Sequence, residues 1–334
     1  MRRPGLFIAA LGIFALAAAT PVLAQNDKAA PPLPPTPPPA TAAPSKPNPD
    51  ADDSKVDLAY GAFQRGHYLT ALAEATKRAQ ANDPAAMTLI GEIYAQGLGV
   101  GRDDAKAADW FKLAAGRGDP DAMFALAMFR FQGRAGDRDP QEGARLLAEA
   151  AKLGHPLAQY DLGLLYLDGK QFPKDFKRAA ELFRSAADTG NPEAQYALGT
   201  MYKEGRGVPK DMQEAMRLMA KASVAGNLDA MVEFAIAQFN GEGTTKNESA
   251  AAQLFLRAAR LGSAIAQNRL ARILMAGRGM PADPTQAIRW HLIAKAGGSG
   301  DPDLDVYASK QSKAVREAAD KAAKKWLATA RPPG

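Results

Sequence analysis

The feature that most limits what this chain can fold into is a repeat of 36 residues, running without insertion or deletion from 84 to 299. Proline recurs at Pro84, Pro120, Pro156 and Pro192, and Leu228 and Ala264 keep the spacing. Two residues on, Ala86, Ala122, Ala158, Ala194, Ala230 and Ala266 form an unbroken column. Gly97, Gly133, Gly169, Gly205, Gly241 and Gly277 form a second, and Gly118, Gly154, Gly190, Gly226, Gly262 and Gly298 a third. A unit this short cannot bury its apolar face alone, so neighbouring copies must stack.

Each column has a physical role. Proline is tolerated at the first position of a helix, where its missing N–H would be unpaired anyway. Small residues such as Gly91, Gly163 and Gly199 alternate with large ones such as Leu126, Leu162 and Leu198, which predicts closely packed helices. The Gly97 column ends a first helix, since glycine adopts the left-handed conformation that stops one. The column Asp103, Asp139, Asp175, Asp211, Asn247 and Asp283 suits N-capping of a second helix. Every copy therefore reads as helix, loop, helix, turn, and the predicted fold class is all-α.

Stretches such as AQYALGTMYKEGRGVPKDMQEAMRLMAKASVAGN and AQYDLGLLYLDGKQFPKDFKRAAELFRSAADTGN resemble Sel1-like repeats, relatives of tetratricopeptide repeats. The resemblance implies a right-handed α-solenoid of Sel1-like, tetratricopeptide-like helix-turn-helix repeats. Six copies cover 84–299, residues 55–83 resemble a tetratricopeptide unit acting as an N-terminal cap, and residues 300–334 supply C-terminal capping helices and a basic tail. Val315, Ala319, Ala322 and Trp326 are expected on the inward face of that last cap.

Outside the array the chain reads as targeting and tether. Arg2 and Arg3 precede an uncharged apolar run from Leu6 to Ala19, and Val22-Leu23-Ala24 offers small side chains to a signal peptidase. A helix of that run rises only about 21 Å, short of the roughly 30 Å hydrocarbon core. Residues 1–24 are thus expected to be a signal peptide cleaved after Ala24, giving an exported, periplasmic protein. Ten prolines between Pro31 and Pro49 make residues 25–54 an expected disordered, partly polyproline-II spacer.

The formal charge of +6 is local. Residues 310–334 hold seven Lys or Arg against two acids, whereas residues 25–309 hold 33 basic and 34 acidic side chains. A neutral body with a basic tail is not a nucleic-acid binder's surface. The tail is expected to make at most weak contact with anionic lipid or wall polymer.

The residues carry little chemistry. There is no cysteine, and His67, His155 and His291 are far apart, so no metal site and no cofactor are expected. His155 reads as an exposed turn residue and His291 as a packed or half-buried imidazole. Loops such as GLGVGRD and GRGVPKD contain G-x-G, yet a helix rather than a strand precedes them, so they read as turns. No catalytic residue is assigned.

Three positions on each first helix, spaced i, i+3 and i+7, escape the repeat and share a face that need not pack. By the resemblance, first helices line the inner face of the superhelix, so this ladder would line a concave groove. Its candidate partner-binding residues are Met128, Asp161, Leu164, Asp168, Thr200, Glu204, Glu233, Ile236, Arg269 and Arg272. The resemblance implies a non-catalytic protein–protein interaction scaffold of the cell envelope, binding a peptide or protein segment there and regulating envelope signalling. The alternative is a hydrolase or binder of peptidoglycan or β-lactam-like substrates, as linked to cysteine-rich relatives; the absence of cysteine departs from them.

Overall fold

A computed structural model describes residues 57–330. The expected signal peptide and spacer lie outside the described residues, as does the end of the basic tail. Sixteen α-helices and no strand occur among the described residues, giving the all-α solenoid fold. They form two compact units that part between Arg138 and Asp139, inside the second copy of the repeat. No helix among them is long and apolar enough to cross a membrane.

The first unit holds α1 (Leu58–Gln64), α2 (Tyr68–Gln80), α3 (Pro84–Gln96), α4 (Asp104–Ala115) and α5 (Pro120–Gln132). Capping sets their limits. The Asp83 carboxylate accepts the N–H groups of Ala85 and Ala86 at 3.0 and 3.3 Å, Pro84 occupies the first turn, and Gly97 closes α3 at φ 70°. Asp103 accepts from the Lys106 N–H at 2.9 Å to start α4. Between the two helices lie Ile90, Ile93 and Phe111, all fully buried. Arg134 joins successive copies, donating to Asp104 at 2.6 and 3.0 Å and stacking 4.0 Å from the Phe129 ring.

The second unit holds α6 (Pro140–Lys152), α7 (Pro156–Asp168), α8 (Phe176–Asp188), α9 (Pro192–Glu204), α10 (Met212–Val224), α11 (Leu228–Asn240), α12 (Glu248–Arg260), α13 (Ala264–Ala276), α14 (Pro284–Ala296), α15 (Pro302–Ser309) and α16 (Lys313–Ala330). The same capping logic recurs, with one exception in chemistry. His155 is no exposed turn residue: it is half-buried, and its Nδ1 accepts the Ala158 N–H at 3.0 Å, capping α7 as Asn191 caps α9. Gln159, Gln195 and Gln267 reach back to the carbonyls of Ala151, Ala187 and Ala259 at 3.1–3.3 Å. Each gives a second hydrogen bond to a carbonyl that already accepts the N–H of Gly154, Gly190 or Gly262 at 3.0–3.1 Å.

The G-x-G loops are turns, and the cause is steric. Gly207 has φ +70°, and a Cβ there would sit 2.2 Å from the Phe176 carbonyl oxygen, in the first residue of α8. The loop of one copy lies on the start of the previous copy's second helix, and only glycine fits between.

At the C-terminus, α16 packs on α14 through fully buried Ala319 and Ala323, while the Trp326 ring meets Trp290 edge-on at 6.1 Å. Ala323, rather than the expected Ala322, is central to this face; Ala322 is half-buried. The α15 helix is tied to α14 by Asp305, which lies 2.8 Å from His291 Nε2 and accepts from Lys295 Nζ at 2.8 Å. His291 is buried, with 1% exposure.

Candidate functional site

Three of the predicted ladder residues converge in the second unit. Ile236 on α11 and Arg269 and Arg272 on α13 line a cavity of about 320 Å³. The repeat itself brings them together, because Ile236 and Arg272 occupy the same position of adjacent copies, and Arg269 lies three residues, about one turn, before Arg272. The apolar lining is completed by Phe239, Phe255, Ile273, Met275 and Ala276. Ile236, Phe239 and Met275 are only partly buried against the core, so they offer apolar surface to the cavity. Arg278, in the loop after α13, is the third guanidinium on its wall.

The three arginines differ in how they are held. Arg272 Nε donates to Asp301 Oδ2 at 2.5 Å, and its other end approaches Asp303 at 3.6 Å. Asp301 is 4% exposed; burial opposes its ionisation, yet hydrogen bonds from Arg272 and Asn268 hold its carboxyl below the ordinary range. Arg278 donates to Glu248 at 2.5 and 3.3 Å and lies 4.6 Å from the Phe239 ring centroid. Those bonds, with a further one from Lys246, press the Glu248 carboxyl down to about 2. Arg269 is exposed and has no hydrogen bond or ion pair to its side chain. Two guanidinium groups are thus fixed by the protein and the third is unpaired.

The rest of the ladder is less open than its pattern suggests. Leu164 is 5% exposed and belongs to the core, so it is not a surface anchor. Leu89, Glu92, Ala125 and Ala197 are likewise buried, which corrects the expectation that the i and i+3 positions need not pack. Side chains of successive first helices reach one another across these positions, as Lys203 Nζ on α9 and Glu233 on α11 show at 2.6 Å. The i+7 position stays open at Gln96, Gln132, Glu204, Asn240 and Ala276. Met128 is half-buried and belongs to the first unit.

Most acids on the ladder have local cations. Asp168 pairs with Lys170 at 3.0 Å, with its second oxygen buried and unbonded, and Glu204 pairs with Arg206 at 3.0 Å. Thr200 turns its hydroxyl back to the Tyr196 carbonyl at 3.0 Å. Burial pushes the Asp161 carboxyl up to about 7, so it carries only part of a charge at neutral pH. Sequence reasoning missed Phe239, Phe255, Met275, Arg278 and Asp301. Phe239 and Met275 stand in a column otherwise filled by Ala95, Phe131, Leu167 and Lys203, whose variability was a usable signal. Asp301 lies beyond the repeat and gave none.

The described residues contain no group of three or more His, Cys, Asp or Glu able to hold a metal ion. A comparison with curated protein sequences finds no match. Among solved structures, a Sel1 repeat protein from Oxalobacter formigenes is similar at 25% identity and a TM-score of 0.62, over 72% of this chain and 97% of that one. A protective antigen of uropathogenic Escherichia coli strains, displaying an SLR fold, is 24% identical at a TM-score of 0.56, over 78% of this chain and 64% of that one. Residues 84–119, 120–155, 156–191, 192–227, 228–263 and 264–299 each match the Sel1 repeat. The chain belongs to the Sel1 repeat family.

Proposed function

We propose that the protein is a non-catalytic interaction scaffold of the cell envelope, exported to the periplasm and binding a protein segment on its first helices. The observation that carries this reading is the cavity where Ile236, Arg269 and Arg272 meet. Apolar surface beside fixed and free guanidinium groups suits recognition of a polypeptide, since interfaces favour arginine around an apolar centre. Family membership supports the reading, because stacked repeats present extended surface rather than a closed reaction chamber. In such a scaffold the basic tail is an accessory that adds weak attraction to anionic lipid or wall polymer.

The test is affinity capture from envelope extract with substituted baits. Ile236→Ser combined with Arg269→Glu should reduce recovery of the partner at least tenfold, as lost central contacts cost about 1–2 kcal/mol each. Deleting the tail is not a clean comparison, because α16 buries Ala319 and Ala323. Neutralising the exposed Lys321, Lys324 and Lys325 to Gln leaves that packing intact. Capture that survives the first bait and fails with the second would place the partner on the tail and refute the groove.

A further inference from the structure

Whatever segment lies on the first helices, the cavity between α11 and α13 restricts what it can contain. Its volume of about 320 Å³ is at the small end for a ligand pocket and ample for one large side chain. The floor is apolar and partly exposed at Ile236, Phe239 and Met275. The charge around it has one sign: Arg269, Arg272 and Arg278 line the cavity and no carboxylate does. Asp301 and Glu248, which are not lining residues, pair with Arg272 and Arg278 and fix their direction. Arg269 is the one exposed charge of the α7–α13 ladder that no ion pair occupies, whereas Glu204 is already paired.

We infer that this cavity anchors an acidic peptide segment of the partner, taking one bulky aliphatic or aromatic side chain with an adjacent Asp or Glu on Arg269. This rests on the scaffold reading and adds the chemistry of the occupant. The apolar side chain supplies desolvated area against Ile236 and Phe239. The carboxylate supplies a charge-assisted bond to the free guanidinium. A basic segment is disfavoured here, because its charge would face the unpaired guanidinium of Arg269.

The probe is a set of fluorescein-labelled twelve-residue peptides, measured by anisotropy on the purified full-length protein. One carries a central Phe flanked by two Glu in a Gly/Ser background; in the controls Phe is replaced by Ala, or both Glu by Lys. The Phe–Glu peptide should bind at least tenfold more tightly than either control. Arg269→Glu should abolish the preference for Glu over Lys. Ala276→Trp, at an exposed residue lining the cavity, should fill it and abolish the preference for Phe over Ala. Neither substitution replaces a buried side chain, so both variants should melt with the parent. No discrimination among the peptides, or discrimination that both variants retain, overturns the inference. If that happens while envelope capture still fails with the Ile236→Ser, Arg269→Glu bait, the scaffold reading stands and only the acidic anchor falls.

Discussion

Glu92 shows how a single residue can depart from its pattern. It occupies the column that holds Met128, Thr200, Ile236 and Arg272 in other copies, and that column reads as a free surface. In the folded chain it is 3% exposed, with Asp121 and Asp119 facing it from the start of α5. Burial first, then these two acids, pushes its carboxyl from the ordinary range up to about 8. The folded state therefore holds a proton that the unfolded chain releases near pH 4.5. Its stabilising contribution is complete below that pH and is lost as pH rises through about 8. Removing the charge should remove the dependence. Glu92→Gln should leave stability nearly unchanged at pH 5 and raise it at pH 9 by on the order of a few kcal/mol, at about 1.4 kcal/mol per pKa unit. Denaturant titrations at both pH values measure this, and parallel pH profiles for variant and parent would show that the carboxylate stays solvated. At this scale the sequence was only half legible. Ile236, Arg269 and Arg272 were recognisable by escaping the repeat, but escaping the repeat does not separate an open position from one covered by the next helix. Leu164 was misplaced for that reason, and Glu92 in the same column is covered in the same way.

At the scale of helices the sequence was almost fully legible, because repetition averages away local ambiguity. Six coincident caps and glycines fixed each boundary, and even the unusual cap His155 fell in its column. The small columns make the sharpest test of packing. Gly163 on α7 has no side chain because Phe183 on α8 fills the space: a Cβ would lie 2.5 Å from Phe183 Cε1, a rigid buried ring. Gly199 on α9 stands in the same column, yet a Cβ there would meet Met219 Cγ and the Ala215 carbonyl at 3.2 Å. Methionine can yield where phenylalanine cannot. Gly163→Ala should therefore cost about 1–3 kcal/mol by overpacking. Gly199→Ala should lie within about 1 kcal/mol of the parent, since the helix gain of Ala over Gly offsets a mild clash. Equal melting shifts for the two glycine variants would mean that α7 and α9 do not pack as described.

The whole chain sets where the protein works and how far a local defect spreads. If it is exported as proposed, the isolated protein should begin at Gln25 by N-terminal sequencing and fractionate with soluble periplasm; an intact Met1 on membrane-bound material would contradict this. The terminal cap raises a second question, because in the second unit it also reaches the site. Asp301, which orients Arg272, is the N-cap of α15; α15 is tied to α14 by Asp305 and to α16 by the Arg316 guanidinium, which donates to the Ser309 carbonyl at 2.9 Å. Repeat arrays gain stability mainly between neighbours, so damage at an end frays that end first. Trp326→Ala removes the ring that meets Trp290 and should cost roughly 2 kcal/mol, less than a fully buried tryptophan because Trp326 is half-buried. Hydrogen exchange should accelerate in α14, α15 and α16 while α7 and α8 keep their protection. With Asp301 loosened, Arg272 loses its fixed direction, so the Phe–Glu peptide should bind several-fold more weakly although Trp326 lies outside the cavity lining. Exchange that accelerates equally from α7 to α16 would mean that the unit opens as one body, and the weakened binding would then report global unfolding rather than a cap that positions the site.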